Sequence, residues 1–175
     1  MELTSEVVNF PHLGVCTALN SELEKLKWSS PTEIQKQVIP SVLEGRDIIG
    51  LAETGSGKTG AFAIPILNKL LECGSRLYAL VLSPTRELSF QINDVFEALG
   101  SGMGLLTTCI VGGIEMVEQA IILAKRPHVI IATPGTIFCL FFCFVLFSEI
   151  FFRKVARSFA QHKRFQSAQF EDACD

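Results

Sequence analysis

The run Asp47-Ile-Ile-Gly-Leu-Ala-Glu-Thr-Gly-Ser-Gly-Lys-Thr59 decides the fold. Its opening, Asp47 to Leu51, is a short apolar stretch that predicts a buried strand, and the residues from Lys58 to Leu71 carry helical spacing. Between them sit Ala52, Glu53, Thr54, Gly55, Ser56, Gly57, Lys58 and Thr59. A Gly-rich loop between strand and helix aims successive backbone N–H groups at one point, where the helix dipole also favours negative charge. Gly55 and Gly57 permit close approach, Lys58 is placed to neutralise β- and γ-phosphates, and the Thr59 hydroxyl is placed to ligate Mg²⁺. The stretch therefore predicts a cradle for a nucleoside triphosphate, with Ala52 where such loops usually begin on Gly.

Outward from the loop, strand and helix patterns alternate. Strands are predicted at Tyr78 to Leu82, Thr107 to Val111 and His128 to Ala132, and helices at Arg86 to Leu99 and Ile114 to Ala124. Two further helices, Leu13 to Leu26 and Thr32 to Leu43, precede the loop. The strands are near-continuous apolar runs, as burial on both faces requires, so the expectation is an α/β fold with a parallel sheet covered by helices on both sides.

Bulk properties agree with one globular unit. The chain has 175 residues, 49% of them apolar and 19% charged, with a net charge of −3 that gives it no general pull toward nucleic acid. Cys16, Cys73, Cys109, Cys139, Cys143 and Cys174 show no paired-ligand spacing, which argues against a metal site and for a reducing, intracellular setting. His12, His128 and His162 stand apart from one another, and none is nominated for chemistry.

Upstream of the loop, Pro31-Thr-Glu-Ile-Gln35 supplies a side-chain amide, which offers the donor and acceptor pair that adenine's N6/N7 edge demands. Downstream, Pro84-Thr-Arg-Glu-Leu88, Gly112-Gly113 and Thr133-Pro-Gly135 each follow the C-terminal end of a predicted strand, the edge at which open parallel sheets bind ligands. Taken singly, each is readable as a helix cap or a turn. In this order and spacing, together with Ala52-Glu53-Thr54-Gly55, they resemble the motifs of the DEAD-box RNA helicases, specifically the first RecA-like domain, a P-loop NTPase fold. Within that family, Gly45-Arg-Asp-Ile-Ile-Gly and Phe96-Glu-Ala-Leu-Gly100 are most similar to the nucleolar helicases of ribosomal-RNA processing.

The resemblance implies ATP with Mg²⁺ as cofactors. It implies that Gln35 bonds the adenine edge, Phe10 stacks on the ring, Thr32 steadies the loop, and Lys58 and Thr59 serve catalysis. Pro84, Thr85, Arg86, Gly112, Gly113, Thr133, Pro134 and Gly135 are implied to touch RNA sugar and phosphate without sequence preference. Nuclear or nucleolar placement and pre-ribosomal partners are likewise implied. Lys27 and Thr136 stand where the family has Gly and Arg.

At Gly135 the pattern breaks. Ten of the chain's 14 phenylalanines fall between Phe138 and Phe170, no further strand–helix alternation is predicted, and no Asp-Glu-Ala-Asp run follows. The expected division is 1–44 for the N-terminal helices, 45–135 for a partial RecA-like domain and 136–175 for a Phe-rich segment with a polar tail. The final Glu171-Asp-Ala-Cys-Asp175 reads as a solvated acidic tail, and the apolar run after Thr136 is broken by Ser148 and Glu149 before it reaches the ~17–25 residues of a membrane span. Without the acidic pair that holds Mg²⁺, and with the P-loop strand's neighbour missing, this chain is expected to bind ATP weakly, hydrolyse it near background and expose a sheet edge. The alternative is a non-catalytic RNA- or partner-binding module that competes with the complete helicase.

Overall fold

The computed structural model describes residues 8–144. A 3-10 turn, Phe10–Leu13, leads into α1 (Thr17–Lys25) and α2 (Glu33–Leu43). The chain then alternates through α3 (Lys58–Cys73), β1 (Ala79–Leu82), α4 (Arg86–Gly100), β2 (Thr107–Ile110), α5 (Met116–Ala124), β3 (Val129–Ala132) and α6 (Pro134–Phe144).

The three strands are parallel in the order β1-β3-β2, with Leu80 opposite Ile130 and Cys109 opposite Ile131. Central β3 is buried along its whole length, and its side chains alternate between two cores because strand side chains alternate faces. Val129 and Ile131 join Leu19, Leu23, Ile64, Leu67, Ile92, Phe96 and Leu99 under α1, α3 and α4. Ile130 and Ala132 join Ile110 and Leu123 with Ile137 and Leu140 of α6 on the other face. Helices on both faces of a parallel sheet are the predicted architecture.

Two expectations are corrected. Asp47 to Leu51 forms no strand: the segment is not in the ladder, and Ile48, Ile49 and Leu51 are 40%, 64% and 90% exposed. An apolar run becomes a strand only where a neighbour bonds its backbone, and among the described residues no strand pairs with the β1 edge that does not face β3. The open edge was expected on the phosphate-loop strand; it lies instead on β1, where Leu82 is 41% exposed.

The second correction concerns the break at Gly135. Helix α6 starts at Pro134, a residue suited to a first helical turn, and runs through the compositional change to Phe144. Ile137 and Leu140, three residues apart, lie buried against the sheet. Strand–helix alternation thus continues one helix further than expected. The rest of the Phe-rich segment and the acidic tail lie outside the described residues.

The end of α1 shows why Lys27 matters. The N–H of Trp28 bonds to Leu23 O at 2.9 Å and that of Lys27 to Glu24 O at 3.0 Å, with Lys27 in the left-handed region at φ 59°. This is the bond pattern of a Schellman cap, whose left-handed position is usually Gly because a Cβ is strained there. Lys27 holds that position against its own conformational preference.

Candidate functional site

The phosphate loop ends at Gly57, the N-cap of α3, in the left-handed region at φ 90°, and Gly55 turns the same way at φ 83°. Ser56 closes the loop on itself, its N–H and its hydroxyl both donating to Glu53 O, at 3.3 and 2.7 Å. Lys58, Thr59 and Gly60 form the first turn of α3, so their N–H groups have no helical carbonyl to bond. Among the described residues nothing lies within 4 Å of a Cβ added at Gly55, whereas one on Gly57 would meet Thr32 and Gln35 at 2.9 and 2.8 Å. The cradle is open on one side and clamped on the other, and its backbone donors and the Thr59 hydroxyl are of the chemistry that phosphate and a hard cation take.

Lys58 does not extend into the cradle. Its Nζ donates to the carbonyls of Ala52 and Glu53, the latter at 2.7 Å, closing the loop over its own backbone. These bonds use two of the ammonium's three donors.

The adenine reading is altered in the same way. Gln35 is 3% exposed; its Oε1 accepts from the Thr32 N–H at 3.0 Å and its Nε2 donates to Gly57 O at 3.1 Å. The amide expected to read a base also ties the N-cap of α2 to the end of the phosphate loop, with one N–H and one lone pair left over. Phe10 is 2% exposed and packed in the larger core, so neither ring face is open for stacking in this structure. An aromatic at the start of a short helical turn is more stable buried than displayed, and Phe10 anchors that turn beneath the α/β unit. Thr32 keeps its expected place against Gly57. Trp28, which sequence reasoning passed over, completes the clamp: a Cβ on Gly60 would lie 2.7 Å from both its ring and Gln35 Nε2.

At the C-terminal ends of the strands, the three predicted RNA-facing loops come together. Pro84, Thr85 and Arg86 are exposed, and Thr85 caps α4 by accepting from the Leu88 N–H at 3.3 Å. Beside it, Ser83 N–H reaches Ala132 O on β3 at 2.9 Å. The Arg86 guanidinium lies over Gly113, whose φ of 81° and lack of Cβ leave room for it. Gly112 faces the Thr136 hydroxyl, which is 3.0 Å from that of Thr133. Pro134 and Gly135 are exposed at the start of α6. One cationic side chain, several hydroxyls and exposed backbone thus share one edge, a set suited to sugar and phosphate.

Gln119 is a site residue that sequence reasoning missed. It is 1% exposed in α5, accepts from the Val111 N–H at 2.9 Å, and donates to Val111 O and Ile114 O at 3.1 Å each. These bonds bracket Gly112 and Gly113 on both sides. Its only trace in the sequence is a Gln with apolar neighbours in an apolar helix.

Residues 32–159 match the family model described as DEAD/DEAH box helicase. The chain belongs to that family. The helicase relatives agree: it is 61% identical over 130 residues to the human protein named probable ATP-dependent RNA helicase DDX47, covering 74% of this chain and 29% of that one. It is 57% identical over 134 residues to the Yarrowia lipolytica ATP-dependent rRNA helicase RRP3, covering 77% and 28%. Among solved structures, the ADP-bound RNA helicase Prp28 of Chaetomium thermophilum superposes with a TM-score of 0.66 at 39% identity, covering 73% of this chain and 32% of that one. A hypothetical ATP-dependent RNA helicase of Sulfolobus tokodaii gives 0.63 at 31% identity, covering 71% and 35%. The chain therefore spans under a third of the length of these curated relatives, and the match falls on the RecA-like fold. Among the described residues no helix is long and apolar enough to cross a membrane.

Proposed function

We propose that this chain is the ATP- and RNA-binding part of an ATP-dependent RNA helicase acting on ribosomal RNA in the nucleolus. The observation that carries it is the phosphate loop at the N-terminus of α3, with Gly57 seated against Thr32 and Gln35. The names of the DDX47 and RRP3 relatives support the RNA class, and with it a pre-ribosomal setting.

On this reading, the backbone amides of Gly55 to Thr59 and the Lys58 ammonium bind the phosphates, and Gln35 offers its second N–H and lone pair to the adenine edge. Thr59 would hold Mg²⁺, which supplies charge neutralisation between the β- and γ-phosphates. Arg86, Gly112, Gly113 and Thr133 to Gly135 hold the RNA backbone at the sheet's C-terminal edge. The 175 residues contain no Asp-Glu-Ala-Asp run to orient an attacking water, so they bind ATP while hydrolysing it near background.

A second reading, a non-catalytic module competing with a complete helicase for RNA or partners, is favoured by one observation. Lys58 and Gln35 both engage the loop's own carbonyls, so nucleotide competes with bonds the loop already makes. Titration with ATP and Mg²⁺ separates the two: nucleotide binding that is lost in Lys58→Ala supports the ATP-binding part of a helicase, and RNA binding with none for nucleotide leaves the competing module. Failure to bind any nucleotide would sink the ATP reading itself.

A further inference from the structure

Helix α5 is apolar on the side that faces away from the sheet. Gln119 and Leu123 point inward, while Val117 and Ile121 are 62% and 57% exposed and Ala124 is exposed beside them. These three follow one another at intervals of four and three residues, the spacing of a coiled-coil seam. Among the described residues nothing packs on that seam.

The charges beside it select an occupant. Glu118 and Lys125 each follow a seam residue by one position, Val117 and Ala124 respectively, so both flank the same edge of the stripe, and both are exposed. If a second α5 is laid antiparallel about a two-fold axis through Ile121, Ile121 meets its own copy and Val117 meets Ala124. Glu118 then falls beside Lys125 of the other copy, twice by symmetry. A parallel two-fold carries that edge to opposite sides of the interface, so Glu118 and Lys125 meet no opposite charge of the other copy there. The surface is thus complementary to itself in one orientation, which is what an isologous dimer requires.

We infer that α5 is a self-association surface, through which two copies of this chain pair as antiparallel helices. The seam is one short helix, smaller than the ~800 Å² per partner of a standard interface, so the dimer is weak and depends on concentration. Its position just after Gly112 and Gly113 brings the RNA-facing edges of two copies to neighbouring places, but the pairing itself does not depend on RNA.

Sedimentation velocity of the whole chain over the micromolar range tests this. The wild type is expected to shift from monomer to dimer with concentration. Glu118→Lys and Lys125→Glu, each placing like charges across the pair, should weaken dimerisation by ~10-fold, and the double variant Glu118→Lys/Lys125→Glu should restore it. Val117→Glu/Ile121→Glu should be monomeric with an unchanged far-ultraviolet circular dichroism spectrum, since both side chains already face water. The inference is overturned by a wild type that stays monomeric, by single charge reversals that leave association unaltered, or by a double reversal that fails to rescue. Association abolished by Ile49→Glu/Leu51→Glu but not by the α5 changes would assign it to the segment before the phosphate loop instead.

Discussion

Gln35 Nε2 donates to the carbonyl of Gly57 across 3.1 Å, joining the residue expected to read adenine to the last residue of the loop expected to hold phosphate. The bond makes base recognition and loop geometry one property. Gln35 holds the loop with one Nε2 proton and the Thr32 N–H with one Oε1 lone pair, which leaves a second of each for a base edge, so adenine and the N-terminus of α3 share one side chain.

Gln35→Ala is accordingly expected to act on two measurements. Leaving Gly57 O and the Thr32 N–H without their buried partner should cost about 1–3 kcal/mol in urea unfolding. Removing the donor–acceptor pair should also erase the preference for ATP over GTP in calorimetric titration. If wild type binds the two nucleotides equally, Gln35 is a structural clamp and not a base reader.

Lys27 offers a gain of stability. A non-glycine residue in the left-handed region costs ~1–2 kcal/mol, whereas the extra freedom that Gly brings to the unfolded chain costs ~0.4–1 kcal/mol. Lys27→Gly should therefore stabilise the chain by roughly 0.5–1 kcal/mol with the Schellman bonds retained. A lower unfolding midpoint for the variant would show that the Lys27 side chain makes a compensating interaction.

Cys109 sets a pH limit. Burial first, then the negative charges of Asp94 and Glu97, push its thiol from 9.0 up to about 11, while its Sγ donates to Ser89 O at 3.4 Å. A raised value means that the folded state keeps the proton longer than the unfolded state. The resulting stabilisation is complete below about 9 and is lost as pH climbs toward about 11. Unfolding free energy should fall over that window, and less steeply in Cys109→Ala. Iodoacetamide at mildly alkaline pH should modify the exposed Cys73 and Cys139 well before Cys109. Equal labelling rates would mean that β2 is open to solvent.

What was legible in the sequence follows the range of the interactions involved. The helices and the strands at β1, β2 and β3 rest on local periodicity and caps, such as Thr85 before α4, and those signals lie within a few residues of one another. Asp47 to Leu51 carries the same apolar signal as β3, but a strand is completed by a neighbour distant in sequence, and the signal does not include that neighbour. The motifs were readable as residue types at a spacing. The present engagement of Gln35 and Lys58 with loop carbonyls was not, because it depends on distances near 3 Å. Helix α6 was hidden by composition: a run of phenylalanines masks the i, i+3 pair Ile137 and Leu140 that seats it.

Gln119 joins this reasoning to RNA binding. Its amide satisfies the N–H and C=O of Val111 and the C=O of Ile114, so it holds the backbone on both sides of Gly112 and Gly113, and Arg86 lies over the second of these. Gln119→Leu keeps the volume but removes every one of those partners from a buried position, and should destabilise by about 2–3 kcal/mol. If the bonds also set the loop, the variant should lose RNA affinity several-fold at a temperature where it remains folded, with ATP affinity unchanged because the phosphate loop lies on α3. Fluorescence anisotropy with a single-stranded RNA and a parallel nucleotide titration measure both. Equal losses for RNA and ATP would point to general unfolding, and an unchanged RNA affinity would remove the Gly112–Gly113 loop from the RNA-binding edge.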